Sequence, residues 1–393
     1  MQRMTHRERL LAACRGEPVD ALPWAPRLEL WHRANSLAGT LPAAVAGLTV
    51  DAIEAKLGLP RYAVVPDFQD LRSPEDEVDR CLGIWRLPAF VHQTDLVGVD
   101  REVVRDSGQT KVTYRTPVGS VSCAFEYSEE MKRGGVTIPW VREHLLTSVD
   151  DVTPLAYIYS HADVRLNEER FARWRSEIGE KGLAVGFALG FGSPMHLVLH
   201  DLATVETAFL LLHDHPDEMA RLVEAIGVWL ERVLAVSARS SADVVFWGGN
   251  YDAAITYPPF FLRHIAPWLA RTAAVLHDHG KLLLTHADGE NTGLTRYYQE
   301  CGVDVADAVC PAPMTRLPLR QIAEDIPDVT IWGGIPSIAL LPEAMPDEPF
   351  ERLLDDTFAL ARGRHRFIVG VADAVPPGAS WERLCRISER AAG

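Results

Sequence analysis

The second half of the chain alternates short apolar segments with amphipathic helical segments, and this rhythm constrains the fold more than any other feature. The apolar segments span 183–189, 243–247, 281–285, 303–309, 329–332 and 366–371. Residues 216–237 carry apolar side chains at helical spacing, namely Met219, Leu222, Val223, Ile226 and Leu230. Strands that alternate with helices in this way predict a parallel sheet covered by helices.

Two further apolar segments near the N-terminus, 22–30 and 62–68, would supply two more strands. Eight alternating strands and helices predict an α/β protein built as a single (βα)8 TIM barrel. A doubly wound open sheet is the alternative. It is less favoured because no glycine-rich GxGxxG or P-loop sequence follows any of the strands.

The chain of 393 residues exceeds the roughly 250 of a typical barrel, and additions to one barrel account for the excess. The first residues predict a short N-terminal amphipathic helix. Residues 95–127 alternate apolar and polar side chains around Asp106, Ser107 and Gly108, which predicts an inserted β-hairpin or small antiparallel sheet. So short an insertion cannot bury a core of its own, so we expect one domain over 1–393.

Polar residues follow almost every predicted strand, at the ends that would form the mouth of a barrel. They are Arg27, Asp67, Asn250, Tyr251, Asp252, His286, Asp288, Asp307 and Asp373. An Asp after a strand is also an ordinary N-cap of the next helix, so Asp252, Asp288 and Asp373 each have a purely structural alternative. The convergence of so many polar residues on one mouth nevertheless favours a functional site.

His286 and Asp288 are two residues apart at one strand end, so both side chains can point at one position. Together with Asp307 from the next strand they would form a metal site, and Zn²⁺ held by such ligands activates a bound molecule. Without a metal, His286 would act as an acid or base that a carboxylate orients. Two other histidine pairs lie at helix ends, namely His213-x-His215 and His277-x-His279. The second pair would lie at the end of the barrel opposite the site and is expected on the surface.

Charge and cysteine content exclude several classes of protein. The 54 acidic residues outnumber the 39 basic ones and give a net charge of −15, so the chain would repel a phosphate backbone and no nucleic-acid partner is expected. No apolar run reaches the roughly 18 residues of a membrane span, and the charged N-terminal segment is not typical of a signal peptide. Six scattered cysteines without a CxxC pair are typical of reduced thiols and predict a cytoplasmic protein.

Five segments, in this order, resemble the uroporphyrinogen decarboxylase superfamily. They are RERLLAACRGEPVDALPWAPR, HADG, ECGVDVADAV, VTIWGGIPS and RFIVGVADAVPP. They resemble the family's N-terminal helix and first strand, a His-containing strand end and later glycine-containing strand ends. The resemblance covers nearly the whole chain and implies a single (βα)8 barrel, in agreement with the strand count, and a homodimer.

Departures from the family's pattern separate its two chemistries. The decarboxylase holds a tetrapyrrole with an Arg-x3-Arg pair, whereas Arg27 and Arg33 are spaced differently here. Methyltransferases of the superfamily hold zinc with a His-x-Cys strand end and a later Cys, and this chain has Asp288 and Asp373 near the two Cys positions. The resemblance therefore implies a methyltransferase that moves a methyl group from a methoxylated or methylamine-like small molecule to a corrinoid protein or a thiol.

In this interpretation His286, Asp288, Asp67 and Asp252 are catalytic, Arg27, Asn250, Tyr251 and Asp373 bind substrate, and His286, Asp288 and Asp307 hold zinc. The alternative function is a cofactor-free decarboxylase or lyase that acts on a carboxylated pyrrole-like or other small substrate. There Asp67 or His286 would donate a proton. A third interpretation is a barrel that binds a small molecule or a corrinoid protein without catalysis.

Overall fold

The computed structural model describes residues 3–66, 78–134, 136 and 138–393. Its strands are β1 His92–Asp95, β2 Asp100–Asp106, β3 Gln109–Thr116, β4 Gly119–Glu126, β5 Trp140–Glu143, β6 Asp163–Leu166, β7 Gly186–Leu189, β8 Val244–Gly249, β9 Leu282–His286, β10 Val305–Val309, β11 Thr330–Ile335 and β12 Phe367–Val371. The longer α-helices span His6–Arg15, Glu29–Ala38, Val50–Leu57, Glu129–Arg133, Val152–His161, Glu168–Ile178, Pro194–Leu197, Val205–Asp214, Pro216–Ser237, Ala266–Asp278, Thr295–Glu300, Leu319–Asp325, Asp347–Arg362 and Trp381–Ala392. Two π-helical turns span Val198–Leu202 and Phe261–Ile265.

Six strands form one parallel sheet in the order β12-β11-β10-β9-β8-β7. Every residue of β8, β10, β11 and β12 is buried, which is the pattern of parallel strands covered on both faces. Spatial order follows chain order, so each crossover brings the chain to the next position in the sheet. The six strands predicted in the second half of the chain are confirmed, with bounds shifted by a few residues.

The two N-terminal segments predicted as strands contribute isolated bridges. Trp24 bridges β12 in parallel, and Arg61 bridges the chain just before β7. The bridge to β7 itself comes from Phe90, which pairs with Phe187 in parallel. A regular strand over 22–30 is wrong, because two prolines in it remove backbone donors and a helix begins at Glu29. The second predicted strand, 62–68, runs beyond the described residues.

The insertion predicted at 95–127 is confirmed as an antiparallel sheet, and this sheet extends further along the chain than predicted. Its four strands pair in the order β2-β3-β4-β5 and end at Glu143. Ser107 and Gly108 form the first tight turn with φ values of 48° and 85°, as a two-residue hairpin loop requires. The predicted N-terminal helix is also confirmed, and Thr5 caps it in a capping box. Among the described residues, no helix is long and apolar enough to cross a bilayer.

One face of the parallel sheet carries large apolar side chains at alternate positions. Phe187, Phe246, Leu284, Val305 and Trp332 belong to one buried cluster on this face. Side chains two residues apart on a strand share a face, so His286 follows Leu284 and Asp307 follows Val305 on the same side. The sheet therefore holds a polar pair next to an apolar interior, near the carboxyl ends of β9 and β10.

Candidate active site

His286 and Asp307 form a direct, buried ion pair. They are Cα partners across β9 and β10, so the register of the sheet places their side chains next to each other. His286 Nδ1 lies 2.8 Å from Asp307 Oδ2, and the two residues are only 7% and 3% exposed. The sequence predicted that these residues would converge, and the structure brings them together as a hydrogen-bonded pair.

An irregularity in β10 shapes the backbone beside Asp307. Ala308 has a φ of 56°, and the pairing of β10 with β11 shifts register between Asp307 and Val309. Opposite the shift is Gly333, with a φ of 142°, where a Cβ atom would come within 2.7 Å of the backbone nitrogen and oxygen of Val309. Only glycine leaves room for the bulged strand there.

Carboxylates around His286 favour its protonated form. Burial lowers the pKa of this imidazole, but the hydrogen bond and charge of Asp307 and the charges of Asp373 and Asp288 outweigh burial, so the pKa is raised. Burial raises the pKa of the Asp288 carboxyl, although the charge of His286 opposes that shift. The group therefore consists of one imidazole that favours a positive charge and three acidic side chains.

Asp373 and Arg27 complete this group from the other side. Asp373 follows β12 with a φ of 54°, and its Oδ1 lies 3.7 Å from His286 Nε2. Arg27 Nη1 donates to the same oxygen at 3.1 Å. The predicted residues Arg27, His286, Asp288, Asp307 and Asp373 thus meet at the carboxyl ends of the strands, as in the mouth of a barrel.

Three other predicted site residues have local roles, and one lies outside the described residues. Asp252 Oδ1 accepts a hydrogen bond from the Ala254 amide at 2.7 Å, so its carboxylate stabilises a turn. Tyr251 is fully buried, and its hydroxyl accepts from Thr285 at 3.3 Å. Asn250 lies beside the ion pair, because its backbone nitrogen donates a hydrogen bond to the backbone carbonyl of His286 at 3.1 Å. Asp67 falls outside the described ranges.

Two histidines near Asn250 were missed by the sequence reasoning. His196 and His200 lie four residues apart, and their rings are 5.8 Å from each other. His200 lies in the π-helical turn, a rare conformation that is frequent at functional sites. The His-x3-His spacing was a signal, but the apolar residues around it favoured a buried structural helix.

The predicted zinc ligands do not form a three-ligand group as they are arranged. Within the described ranges, no group of three His, Cys, Asp or Glu side chains is placed to hold a metal. Among the predicted ligands His286, Asp288 and Asp307, the carboxylate of Asp307 is hydrogen-bonded directly to Nδ1 of His286. Zinc therefore stays a prediction. Without a metal, His286 can supply a proton, because the carboxylate of Asp307 orients its imidazole and stabilises the positive charge.

The two histidine pairs at helix ends are exposed or partly exposed, which confirms the surface position expected for His277 and His279. His213, His277 and His279 are exposed, and His215 is partly exposed. His277 Nε2 pairs with Asp304 Oδ2 at 2.8 Å, just before β10, at the end of the sheet opposite His286. This exposed pair has the same length as the buried one and provides a control for it.

The comparisons with known proteins identify the family. Residues 123–392 match the sequence model of the family described as "Uroporphyrinogen decarboxylase (URO-D)". No curated protein sequence matches the chain. A solved structure of a methyltransferase from Methanosarcina mazei is similar over 99% of this chain and 98% of its own, with a TM-score of 0.53 and 16% identity. That likeness supports the α/β fold, and the match over most of the chain shows that this protein belongs to the uroporphyrinogen decarboxylase family.

Proposed function

We propose that this protein is a methyltransferase of the uroporphyrinogen decarboxylase family. It would move a methyl group from a methoxylated or methylamine-like small molecule to an acceptor outside this chain, a corrinoid protein or a thiol. We propose a closed (βα)8 barrel in which the segments around Trp24 and Arg61 are the first two strands. The bridge of Trp24 to β12 and that of Arg61 to Gly182, just before β7, support this. The six scattered cysteines, without a CxxC pair, fit a reducing compartment such as the cytoplasm.

The observation that carries the proposal is the buried imidazole of His286, which is hydrogen-bonded to Asp307 and whose pKa the charge of Asp307 helps to raise. In methyl transfer from a methoxy group, the acceptor attacks the methyl carbon and the carbon–oxygen bond breaks. The electron pair stays on the donor's oxygen, which takes the proton from His286 Nε2. Asp307 stabilises the imidazolium until the proton leaves. General acid catalysis of this kind contributes about 10²–10⁴-fold to the rate.

The charges around His286 favour methyl transfer over decarboxylation. A decarboxylase would place the substrate's carboxylate at the reacting carbon, among Asp288, Asp307 and Asp373. These three acidic side chains outnumber the basic side chains of His286 and Arg27, and like charges at short range repel. A methoxy group is neutral and a methylated amine is cationic, so neither is repelled. Decarboxylation stays the second candidate because the same imidazolium can protonate an electron-rich ring carbon as carbon dioxide leaves.

A turnover assay tests the function directly. The protein is mixed with isotope-labelled methoxylated aromatics or methylamines and with reduced cobalamin or a thiol, and the methylated acceptor is measured by mass spectrometry. We expect turnover with the wild type and with His277→Gln, the exposed control. In His286→Gln turnover should fall by about 10²–10⁴-fold, the share of a general acid.

Two results would contradict parts of this proposal. Carbon dioxide release from a carboxylated pyrrole, without any methyl transfer, would establish the decarboxylase instead. Methyl transfer that His286→Gln leaves unchanged would retain the function but place the chemistry elsewhere in the protein. The same assay, run with different acceptors, identifies the acceptor. Sedimentation of the protein separately tests the predicted homodimer.

A further inference from the structure

A cavity that the proposed reaction does not use lies between the segment around Arg61 and the helix Glu168–Ile178. Its volume is about 390 Å³, which is within the roughly 300–1,000 Å³ of small-molecule sites. Ala63 from the segment and Ile178 from the helix line it and belong to one small apolar cluster. None of the described residues grouped around His286 lines this cavity, so it is separate from the proposed active site.

Arg61 lines the cavity and has one nitrogen that no described residue satisfies. Its Nη1 pairs with Asp51, whereas its Nε is buried without a hydrogen-bond partner. A buried N–H group without an acceptor destabilises a protein, and nearly all such groups are paired with protein, water or ligand. The side chain is 33% exposed, so the guanidinium has room to turn its Nε edge towards the cavity.

The Nε edge of arginine holds carboxylates elsewhere in this protein. Arg101 donates to Asp79 through Nε at 2.7 Å and Nη2 at 2.8 Å. Arg9 holds Asp20 through the same two nitrogens, at 2.6 and 3.0 Å. Two parallel N–H donors in one plane match the two oxygens of a carboxylate. A carboxylate in the cavity would therefore give Arg61 the acceptor that its Nε lacks.

The walls of the cavity match an apolar body attached to that carboxylate. Trp174 and Ile178 line it from the helix, and Val50 and Val65 line it from the N-terminal part of the chain. The indole of Trp174 is only half-buried, and it also lines a neighbouring hollow of about 260 Å³. An aromatic ring packed on an indole gains more than the burial of its area alone. The walls therefore favour an aromatic acid over an inorganic anion.

The charges at the cavity favour a ligand with a single negative charge. Arg33 and Arg61 line it together with Glu29, and Asp51 already shares the charge of Arg61. A dianion such as a phosphate monoester would be repelled by these two carboxylates more strongly than a monoanion.

We propose that this cavity binds a small aromatic carboxylate, with its carboxylate on the Nε edge of Arg61 and its ring against Trp174. We call it the Arg61 cavity. Such binding does not depend on the proposed methyl transfer, because the residues around His286 take no part in it.

An iodinated probe tests the Arg61 cavity without turnover. The probes are 4-iodobenzoate and its neutral counterpart 4-iodobenzamide. Calorimetry measures their affinities, and the anomalous scattering of iodine locates them in crystals of the protein. We expect 4-iodobenzoate in the Arg61 cavity and at least about tenfold weaker binding of 4-iodobenzamide, since a hydrogen bond to a charged group is stronger than a neutral one.

Three variants sharpen the test. Arg61→Lys keeps the positive charge beside Asp51 but removes the Nε edge, so it should weaken binding of 4-iodobenzoate about tenfold. Asp51→Asn removes a competing carboxylate and should strengthen binding severalfold. The matched control is Arg170→Lys, because Arg170 lines the neighbouring hollow and not the Arg61 cavity, and it should leave the affinity unchanged.

The outcomes separate this site from the proposed function. Absence of binding, iodine located only outside the Arg61 cavity, equal affinity for the two probes, or an affinity that Arg61→Lys leaves unchanged would overturn the carboxylate site. Binding in the cavity that follows the three variants would establish it, even if the turnover assay detects no methyl transfer from any donor.

Discussion

Asp307→Asn isolates the contribution of charge to the active-site pair. Asn has nearly the same shape, and its amide oxygen can still accept a hydrogen bond from His286 Nδ1. The negative charge 2.8 Å from the ring is lost. Burial by itself lowers the pKa of His286. Without the charge of Asp307 this effect is opposed less strongly, so we expect the pKa of His286 to fall.

The size of the shift follows from the hydrogen bond. A hydrogen bond to a charged partner is worth about 1.5–3 kcal/mol and a neutral one about 0.5–1.5 kcal/mol. The difference, about 1–2 kcal/mol, corresponds to about one pKa unit, since one unit equals 1.36 kcal/mol. Activity that needs the imidazolium is lost as pH rises through this pKa, so the variant should lose activity about one pH unit earlier.

The stability of the fold should change with pH in the same direction. The raised pKa of His286 gives extra stability that is fully present below about pH 6.5, the value in an unfolded chain. This extra stability is lost as pH rises through the higher pKa of the folded state. In Asp307→Asn the pH-dependent part of the free energy of unfolding should be smaller. Urea unfolding at several pH values measures it.

An NMR titration of the imidazole and the pH profile of turnover both report the pKa of His286. The matched control is Asp304→Asn, which changes the partly exposed His277–Asp304 pair of the same 2.8 Å length and should leave the titration of His286 unchanged. A titration of His286 that is identical in Asp307→Asn and the wild type would refute the role given to this pair.

Three further outcomes are expected. Gly333→Ala places a Cβ 2.7 Å from Val309 backbone atoms at a φ of 142° and should cost about 1–3 kcal/mol of stability; an unchanged urea midpoint would contradict this. Asp252→Ala loses the turn contact to Ala254 and should cost about 1 kcal/mol with near-normal turnover, whereas a loss like that of His286→Gln would support the predicted catalytic role. A chelator tests the zinc prediction: one zinc per chain together with loss of turnover on chelation would support it, and full turnover of zinc-free protein would contradict it.

The meeting of His286 and Asp307 could be predicted because it depends on regular geometry. Consecutive parallel strands are usually neighbours, and polar residues at their carboxyl ends therefore lie close together. That the two residues bond directly depends on register, since they are Cα partners. A shift of one residue would place one of them on the other face of the sheet. Sequence alone leaves that register open, so a metal bridge and a direct bond were equally compatible with it.

The residues that sequence reasoning missed depend on irregular backbone. His196 and His200 follow β7 in a short helix that continues as a π-helical turn. The letters PMHLVLHDL are typical of a buried α-helix, and no propensity scale favours a π-helical turn. The single bridge at Trp24, in place of a strand over 22–30, likewise depends on tertiary contact with β12. These features form only because the rest of the sheet determines them.

Backbone strain near the strand ends has a common physical reason. Within the described ranges, the residues other than glycine with positive φ are Ser107, Asn250, Ala308 and Asp373. The last three lie at the ends of alternate strands β8, β10 and β12, and each would be more stable by about 1–3 kcal/mol in an ordinary conformation. The buried sheet supplies the stability that holds them there. Because the left-handed backbone fixes where Asn250, Asp307 and Asp373 point, the strain orients the site, and relaxing it would stabilise the fold while disordering the residues around His286.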